Sequence, residues 1–524
     1  MTEDPRPALL RQAALVAALT AAARYPHPVA SVRHLETHIS HILLAGEYAY
    51  KLKKPLDLGF VDYSSLEQRR ECCAAEVRLN RRLAPELYLD CIPICGSADN
   101  PVLQGDPAAA IEFAVRMRRF PQQALLDRCL AQGRLTPRHL EASARRIAAF
   151  HAAVARSDAA SPWGAPEMIR RTALDNFSHC RALLEAPADR QRLDALQIWT
   201  EAAWQRLEGV FAARRAGGLV RECHGDLHLG NMILNADGSV TVFDCIEFNA
   251  ALRWIDVQSE AAFLFMDLCR RHAPDLAWGW LNAYLESSGD YEGLAAFAFY
   301  RVYRALVRAK IAAIRHAQTG QDADLEDCRG YLSLAQAFTR PPPPFLLITH
   351  GVSGSGKSFI TGRLAPALEA VRLRSDVERK RLFGLDPLAH SGSALAQGIY
   401  TDEAGGRTYA RLLELAGAVL DGGFPVLVDA AFLDAGRRAA FRALAKDKGV
   451  PFVLLACGAD PALLRERIIR RAAQGDDATE ADAAVLERQL ADYAPPAAEE
   501  QPLAAGAGDI AALSAAVRER TGGV

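Results

Sequence analysis

Residues 351–358 read Gly-Val-Ser-Gly-Ser-Gly-Lys-Ser, directly after an apolar run at 345–349 and before a helical pattern at 358–368. Glycines at this spacing let successive backbone N–H groups turn inward around phosphate oxygens at the start of a helix. In such a loop Lys357 reaches the β- and γ-phosphates, and the hydroxyl of Ser358 binds Mg²⁺. The pattern therefore predicts a nucleotide site formed by Gly351, Ser353, Gly354, Ser355, Gly356, Lys357 and Ser358.

The chain after this loop alternates helical patterns with further apolar strands, which predicts an α/β domain with a parallel sheet. Asp376 follows the second strand, where an acid can accept a proton from an attacking hydroxyl group. Asp429 ends the third strand, at the position that holds Mg²⁺ directly or through water. Arg467 and Arg471 share one face of the helix after the fourth strand, and we interpret that helix as a catalytic lid.

Two of these interpretations have alternatives. The arginine-rich helix could be a surface helix with salt bridges, and Arg379 and Lys380 could either hold an anionic acceptor or lie in a solvated helical turn. Together, the glycine loop, the two acids and the arginine-rich helix resemble the compact P-loop kinases of small molecules, a group that includes gluconate kinase, adenylylsulfate kinase and zeta-toxin-like kinases. The resemblance covers about 345–490 and implies ATP and Mg²⁺ as ligands.

Four consecutive prolines, 341–344, stand immediately before the first strand of this domain. Proline lacks an amide donor and favours extended geometry, so the run predicts a semi-rigid linker. We therefore predict a first domain over 1–339, a linker over 340–344 and a second domain over 345–524. Near the end of the chain, the Ala- and Pro-rich stretch 494–508 predicts a loose connection to a last helix.

Upstream of the prolines, residues 224–231 read His-Gly-Asp-Leu-His-Leu-Gly-Asn, and a short apolar strand then ends in Asp244. Asp226 is placed to reach an acceptor hydroxyl, while Asn231 and Asp244 converge on a metal that bridges phosphates. Two acids and an amide so close together need a counter-charge, and a bound cation supplies it. This spacing predicts a second phosphate-transfer site.

A site of this kind also needs a lysine on a strand and a helical glutamate that orients it. The run 48–51 reads Tyr-Ala-Tyr-Lys, so we predict that Lys51 binds phosphate oxygens, with Lys53 on the same strand face as the alternative. Glu76 lies within a helical pattern and is the predicted partner of the lysine, with Glu71 as the alternative. Strand patterns dominate before about residue 120 and helical patterns after about 136, which predicts a sheet lobe followed by a helical lobe.

The motif H-G-D-x4-N, followed by a strand-borne Asp, resembles the aminoglycoside phosphotransferase and choline kinase-like superfamily, over roughly 30–335. The resemblance implies an α+β bilobal, protein-kinase-like domain ahead of the α/β P-loop domain, a combination similar to bacterial proteins described as bifunctional aminoglycoside phosphotransferase/ATP-binding proteins. The glycine at position 225 argues against a protein substrate, because the corresponding loop of protein kinases has arginine there. No G-x-G-x-x-G loop precedes Lys51, and the acid that supports the catalytic loop is either Asp256 or Glu260.

Composition and sequence pattern argue against several classes of function, and they make nucleic acid an unlikely partner. The formal net charge of −2 gives no general attraction to nucleic acid, and the sequence has neither a secretory signal pattern nor an apolar run long enough to span a bilayer. We expect a cytoplasmic kinase that uses ATP and Mg²⁺ on hydroxyl groups of small molecules at two sites. In the alternative, one half senses nucleotide and controls the other. Neither the acceptors nor the oligomeric state follow from the sequence.

Overall fold

The computed structural model describes residues 6–37, 39–57, 59, 61–158, 160–387, 389, 398–474, 483–491, 493–505 and 509–522, and for 471–474 it describes the backbone alone. The chain divides into two compact units. The first comprises Met1–His139, Ala153–Gly164 and Arg215–Glu260; the second comprises Leu140–Ala152, Ala165–Arg214 and Ala261–Val524. The boundary between the two units falls within residues 1–339, the first domain that the sequence predicts. The domain boundaries at 340–344 stay a prediction.

The first unit is built on a six-stranded antiparallel sheet with the order β1-β2-β3-β6-β4-β5. Two smaller antiparallel pairs, β7 with β10 and β8 with β9, lie in the later part of the unit. The strands are β1 (Val32–Glu36), β2 (Ser40–Ala45), β3 (Tyr48–Lys53), β4 (Tyr88–Gly96), β5 (Pro101–Leu103), β6 (Glu112–Arg118), β7 (Val220–Glu222), β8 (Met232–Leu234), β9 (Val240–Val242) and β10 (Trp254–Asp256).

Helices lie between these strands in sequence and continue after them. The helix that carries Glu76 starts at a capping box, in which the Ser65 hydroxyl accepts the N–H of Gln68 and the Gln68 side chain accepts the N–H of Ser65. The helices up to residue 338 are α1 (Arg6–Leu19), α2 (Leu66–Asn80), α3 (Leu126–Ala131), α4 (Pro137–Ala153), α5 (Pro166–Leu183), α6 (Pro187–Ala216), α7 (Ala250–Arg253), α8 (Val257–Arg270), α9 (Pro274–Ser288), α10 (Leu294–Thr319) and α11 (Asp322–Phe338).

The second unit contains a five-stranded parallel sheet with the order β12-β13-β11-β14-β15. Its central strands are apolar and buried on both faces, as expected of a parallel sheet covered by helices. The remaining elements are β11 (Leu346–His350), α12 (Lys357–Ala367), β12 (Val371–Arg374), α13 (Ser375–Leu382), α14 (Asp402–Asp421), β13 (Val426–Asp429), α15 (Ala435–Asp447), β14 (Phe452–Ala456), α16 (Pro461–Gln474), α17 (Ala483–Ala491), β15 (Leu503–Ala504) and α18 (Ile510–Thr521).

One expectation about the end of the chain was wrong. The stretch 494–508 was predicted to be a loose connection, but its described part contains β15, which pairs in parallel with β14. Glu500 in the same stretch also accepts two hydrogen bonds, each 2.8 Å long, from the Arg438 guanidinium. The strand is only two residues long, and its pairing partner lies far away in sequence, so periodicity gave no signal for it. Among the residues that the structure describes, no helix has both the length and the apolar character needed to cross a membrane.

Candidate active sites

Lys51 lies at the centre of the first candidate site. From strand β3 its Nζ contacts Glu76 Oε1 at 2.9 Å and Asp244 Oδ1 at 2.7 Å, and its side chain is 13% exposed. The predicted lysine, helical glutamate and metal-binding acid therefore converge although they come from distant parts of the sequence. The alternative glutamate, Glu71, is exposed on the same helix.

Lys53 also contacts Glu76, and this second contact was not predicted. Its Nζ lies 2.6 Å from Glu76 Oε2 and also binds Glu247, which accepts a hydrogen bond from the Tyr63 hydroxyl. Burial alone would lower the pKa of Lys53, but Glu247 and Glu76 outweigh it and hold the pKa well above its usual value. Lys53 is 1% exposed, so it is enclosed by its partners, whereas Lys51 keeps access to the surface beside Asp244.

The His224–Asn231 loop presents Asp226 to the surface. The Asn231 side-chain amide donates to the Asp226 carbonyl at 3.0 Å and to Asp226 Oδ2 at 2.9 Å. His228 Nε2 lies 3.3 Å from the same Oδ2 atom. Asp226 keeps 31% of its side chain exposed, so an acceptor hydroxyl can reach a carboxylate that is already oriented.

Glu260 supports this loop from the start of α8. Its carboxylate accepts the backbone N–H of His224 at 3.1 Å and that of Gly225 at 2.5 Å, and it is completely buried. Of the two acids that the sequence left open, Glu260 contacts the backbone of the loop, while Asp256 accepts the N–H of Gln258.

The His224 ring joins the loop to the strand that leads to Asp244. Its Nε2 lies 2.9 Å from the Phe243 carbonyl, and Nδ1 lies 3.3 Å from the N–H of Asp226. A carbonyl can only accept, so the ring must donate from Nε2 and accept at Nδ1. Burial lowers the pKa of His224, which keeps this neutral form at physiological pH.

The donor set at this site fits a magnesium ion. Asp244 has the left-handed φ of 65°, and its N–H donates to the Tyr88 hydroxyl at 3.1 Å, so the chain is held at the carboxylate in a strained conformation. The Asn231 amide nitrogen is engaged by Asp226, which leaves the amide oxygen for a ligand. A carboxylate and an amide oxygen are hard ligands of the kind that Mg²⁺ prefers.

The glycine loop of the second site fits a phosphate group. Gly351 and Gly354 have φ values of 150° and 80°, and a Cβ at either position would lie 2.3 Å from the Cys457 carbonyl oxygen and 2.8 Å from the Leu464 carbonyl oxygen, respectively. Side chains are therefore excluded, and the backbone can approach a ligand closely. Lys357 Nζ donates to the carbonyls of Gly351 and Val352, each at 2.9 Å, so the ammonium lies beside the loop that would bind phosphate.

The predicted acids and one arginine meet around this loop. Asp429 Oδ2 accepts the Thr361 hydroxyl at 2.9 Å, and Asp376 Oδ1 pairs with Arg379 at 3.0 Å. Arg467 donates to the Gly354 carbonyl at 3.3 Å. A cleft of about 310 Å³ is lined by Ser353, Gly354, Gly356, Lys357, Ser358, Phe359, Arg374, Ser375, Asp376, Arg379, Tyr400, Tyr409, Asp429, Ala430, Ala431, Arg467, Val485 and Gln489.

Two details of the second site differ from the sequence interpretation or extend it. Lys380 is 1% exposed and donates to the Pro387 carbonyl at 3.3 Å, so the solvated-turn alternative is wrong for this residue. Gln489 on α17 accepts the N–H of Ser353 at 2.7 Å, a contact that no motif indicated. The predicted role of Arg471 concerns a side chain outside the described residues.

Both halves of the chain match known families. Residues 62–297 match the phosphotransferase enzyme family, and residues 346–496 match a family described as an AAA domain. An uncharacterized protein of Mycobacterium tuberculosis (strain ATCC 25618 / H37Rv) is 30% identical over 471 residues, which cover 89% of this chain and 92% of that protein.

Two solved structures are similar to separate parts of the chain. A choline/ethanolamine kinase family protein from Mesorhizobium loti has 14% identity and a TM-score of 0.37, and the match covers 61% of this chain and 90% of that chain. A gluconokinase from Sinorhizobium meliloti 1021 has 23% identity and a TM-score of 0.25, over 35% of this chain and 92% of that chain. Strand order and sequence family, rather than these low TM-scores, establish the fold.

The predicted fold class is confirmed, because a kinase-like region of mixed α and β structure precedes a parallel-sheet P-loop domain. The families also support a kinase or phosphotransferase function. The chain therefore belongs to one family with its mycobacterial relative, and within this chain a phosphotransferase-family segment precedes a P-loop segment that matches the AAA-domain family.

Proposed function

We propose that each candidate site binds ATP with Mg²⁺ and transfers the γ-phosphoryl group to a hydroxyl group of a small molecule. The observation that carries the proposal is the convergence of Lys51 on both Glu76 and Asp244, at 2.9 and 2.7 Å. Such a triad orients a lysine toward phosphate oxygens and places a metal-binding carboxylate beside it. Bound Mg²⁺ would supply positive charge to the phosphate oxygens during transfer.

In the first site, the chain's own groups bind, orient and accept a proton. Lys51 binds phosphate oxygens, and Asn231 with Asp244 would hold the metal. Asp226 orients the acceptor hydroxyl and takes its proton, because its carboxylate is partly exposed and fixed by Asn231. Glu260 keeps the loop in shape by binding two of its backbone N–H groups.

In the second site, the glycine loop and Lys357 bind the phosphates, and Ser358 with Asp429 would hold the metal. Asp376 is the proposed base, and Arg379 lies close enough to influence it, at 3.0 Å. Arg467 and Arg471 are the proposed lid arginines that offset charge on the phosphoryl group. The acceptor is proposed to enter beside Asp376, Tyr400 and Tyr409, which line the same cleft.

The test is phosphorylation of a metabolite pool with [γ-³²P]ATP by the wild type and by the Asp226→Ala and Lys357→Ala variants. Matched controls are Asp237→Ala and Lys448→Ala, which remove an exposed acid and an exposed lysine from the same two compact units. We expect each site variant to lose a different set of labelled products and the controls to lose none.

The outcomes separate the two functions predicted from the sequence. If both site variants label every compound as the wild type does, the two-site proposal fails. If one variant loses all labelling and the other loses none, only one site transfers phosphate. The half whose variant keeps full labelling is then a nucleotide sensor that controls the other half.

A further inference from the structure

One asparagine of helix α9 forms hydrogen bonds with the backbone at the edge strand of the parallel sheet. The Asn282 side-chain nitrogen donates to the Ala370 carbonyl at 3.0 Å, and its oxygen accepts the N–H of Arg372 at 2.7 Å. Strand β12 is at the edge of the sheet, where backbone groups would otherwise lack a neighbouring strand. Asn282 therefore takes the place of a further strand at this point, and it fixes the position of β12.

One helical turn later on α9, Glu286 binds two arginines of the same strand. Its Oε1 accepts from Arg372 Nε at 3.0 Å and Nη2 at 2.7 Å, and its Oε2 lies 3.6 Å from Arg374 Nη1. Alternate residues of a strand face the same side, so one carboxylate can serve both arginines. The three side chains are only 14–15% exposed, so water screens these pairs weakly.

Apolar packing beside this ion cluster holds α9 and α10 against the same sheet. The Phe424 ring, just before β13, lies 6.0 Å from the Trp278 ring and 6.2 Å from the Phe297 ring. The Arg301 guanidinium lies over the Phe424 ring at 5.2 Å. The contact is therefore a packed surface within the second compact unit, which limits how far α9 can shift relative to β12.

Both arginines connect α9 to the nucleotide loop. Arg372 Nη1 donates to the Ser358 carbonyl at 3.4 Å, and a Cβ on Gly362 would lie 2.9 Å from that same nitrogen. Gly362 thus lets the guanidinium lie against the P-loop helix. Arg374 lines the cleft that also contains Lys357 and Asp376.

The charge state of Glu286 suits this arrangement. Burial alone would raise the pKa of Glu286, but Arg372 and Arg374 lower it by more, and the pKa lies below its usual value. The carboxylate is therefore ionised at neutral pH and can hold both guanidinium groups.

We infer that α9 is a working part of the second nucleotide site and that Glu286 is a positioning residue for it. Glu286 holds Arg372 against the start of the P-loop helix and holds Arg374 at the cleft. Binding of a nucleoside diphosphate with Mg²⁺ at the P-loop therefore depends on α9, a helix that lies in the phosphotransferase-family segment, residues 62–297. The inference rests on the proposed nucleotide binding by Lys357 and its loop.

The test measures binding of a fluorescent ADP analogue with Mg²⁺ to the full chain carrying Lys51→Met, which removes the phosphate-binding lysine of the first site. Glu286→Gln keeps the shape of the side chain but removes its charge, and we expect it to weaken binding about tenfold, as loss of an orienting partner does. Glu286→Asp should restore part of the affinity, because the charge returns on a shorter side chain. The matched control is Glu292→Gln, which removes a 68% exposed carboxylate lying 3.8 Å from Arg411.

Thermal unfolding of each variant separates positioning from folding. Lower affinity for Glu286→Gln, with an unfolding midpoint close to that of Glu292→Gln, supports the inference. The inference is overturned if Glu286→Gln binds as tightly as the control, or if only its unfolding midpoint falls. If binding is absent from the parent, or is unchanged by Lys357→Ala, the proposed nucleotide site itself fails and the inference fails with it.

Discussion

Replacing Lys53 with methionine should destabilise the first unit much more than replacing Lys51 or Lys54, although the three lysines lie within four residues at the end of β3. Lys53 is 1% exposed, and its two carboxylate partners, Glu76 and Glu247, are 0% and 5% exposed. Glu76 would keep its contact with Lys51, but the buried Glu247 would lose the Lys53 ammonium, and one uncompensated buried charge costs about 3–5 kcal/mol. The Lys53→Met variant should lose roughly that much free energy of unfolding.

The neighbouring lysines provide matched comparisons. Lys54 pairs with Glu36, which is 56% exposed, so Lys54→Met should cost at most about 1 kcal/mol. Lys51→Met leaves Glu76 paired with Lys53, so it should cost less than Lys53→Met while abolishing the Asp226-dependent phosphorylation. Urea unfolding of the full chains at neutral pH, followed by circular dichroism, measures the difference. A Lys53→Met chain as stable as Lys54→Met would refute the claim that Lys53 neutralises buried carboxylates.

Three further predictions concern Glu76, Gly354 and Glu260. Burial would raise the pKa of Glu76, but Lys51 and Lys53 lower it to about 2 from 4.5, so its contribution to stability is complete above pH 4.5 and is lost as the pH falls toward 2. Acid unfolding of Glu76→Gln should therefore lack this loss, and a stability profile parallel to that of the wild type would contradict the assignment. Gly354→Ala should weaken nucleotide binding at the P-loop, because the added Cβ would lie 2.8 Å from a carbonyl oxygen. Calorimetry measures the affinity. The control is Gly384→Ala, which should bind nucleotide normally, because φ is also positive there, at 69°, but no described atom lies within 4 Å of the added Cβ. Glu260→Gln leaves one oxygen for two loop N–H groups, so kcat of the first site should fall in steady-state assays while the KM for ATP stays unchanged, and a change in KM alone would argue against a role in shaping the loop.

The residues proposed to bind phosphate could be named from the sequence because their chemistry is local. The glycine loop, with Lys357 at its end, must be contiguous, since neighbouring backbone N–H groups form the phosphate cradle. Asp226 and Asn231 also lie within one loop, because their side chains must reach the acceptor and the metal together, and both could be named from their spacing. Lys51 and Glu76 could be named because a strand lysine and a helical glutamate form a known pattern.

Partners that come from distant segments could not be predicted. Glu247 binds Lys53 across 194 positions of sequence, and neither residue carries a motif that indicates the other. Glu260 was one of two candidates until its hydrogen bonds to the loop distinguished it from Asp256. Gln489 lies 136 positions after Ser353, so its contact with the glycine loop depends on how the chain returns to that loop.

Strand β12 shows how a partner from a distant segment changes the role of a charged side chain. Its pattern, with buried Val371 and Leu373 alternating with Arg372 and Arg374, is typical of an edge strand that turns its charges to water. Here the charged face instead meets Glu286, and Arg372 extends from there to the P-loop helix. Arg372→Lys would keep the charge but could not contact the Glu286 carboxylate and the Ser358 carbonyl together, because lysine has a single nitrogen at its tip. Helix α9 before the proline run and strand β12 after it therefore share one ion cluster within the second compact unit.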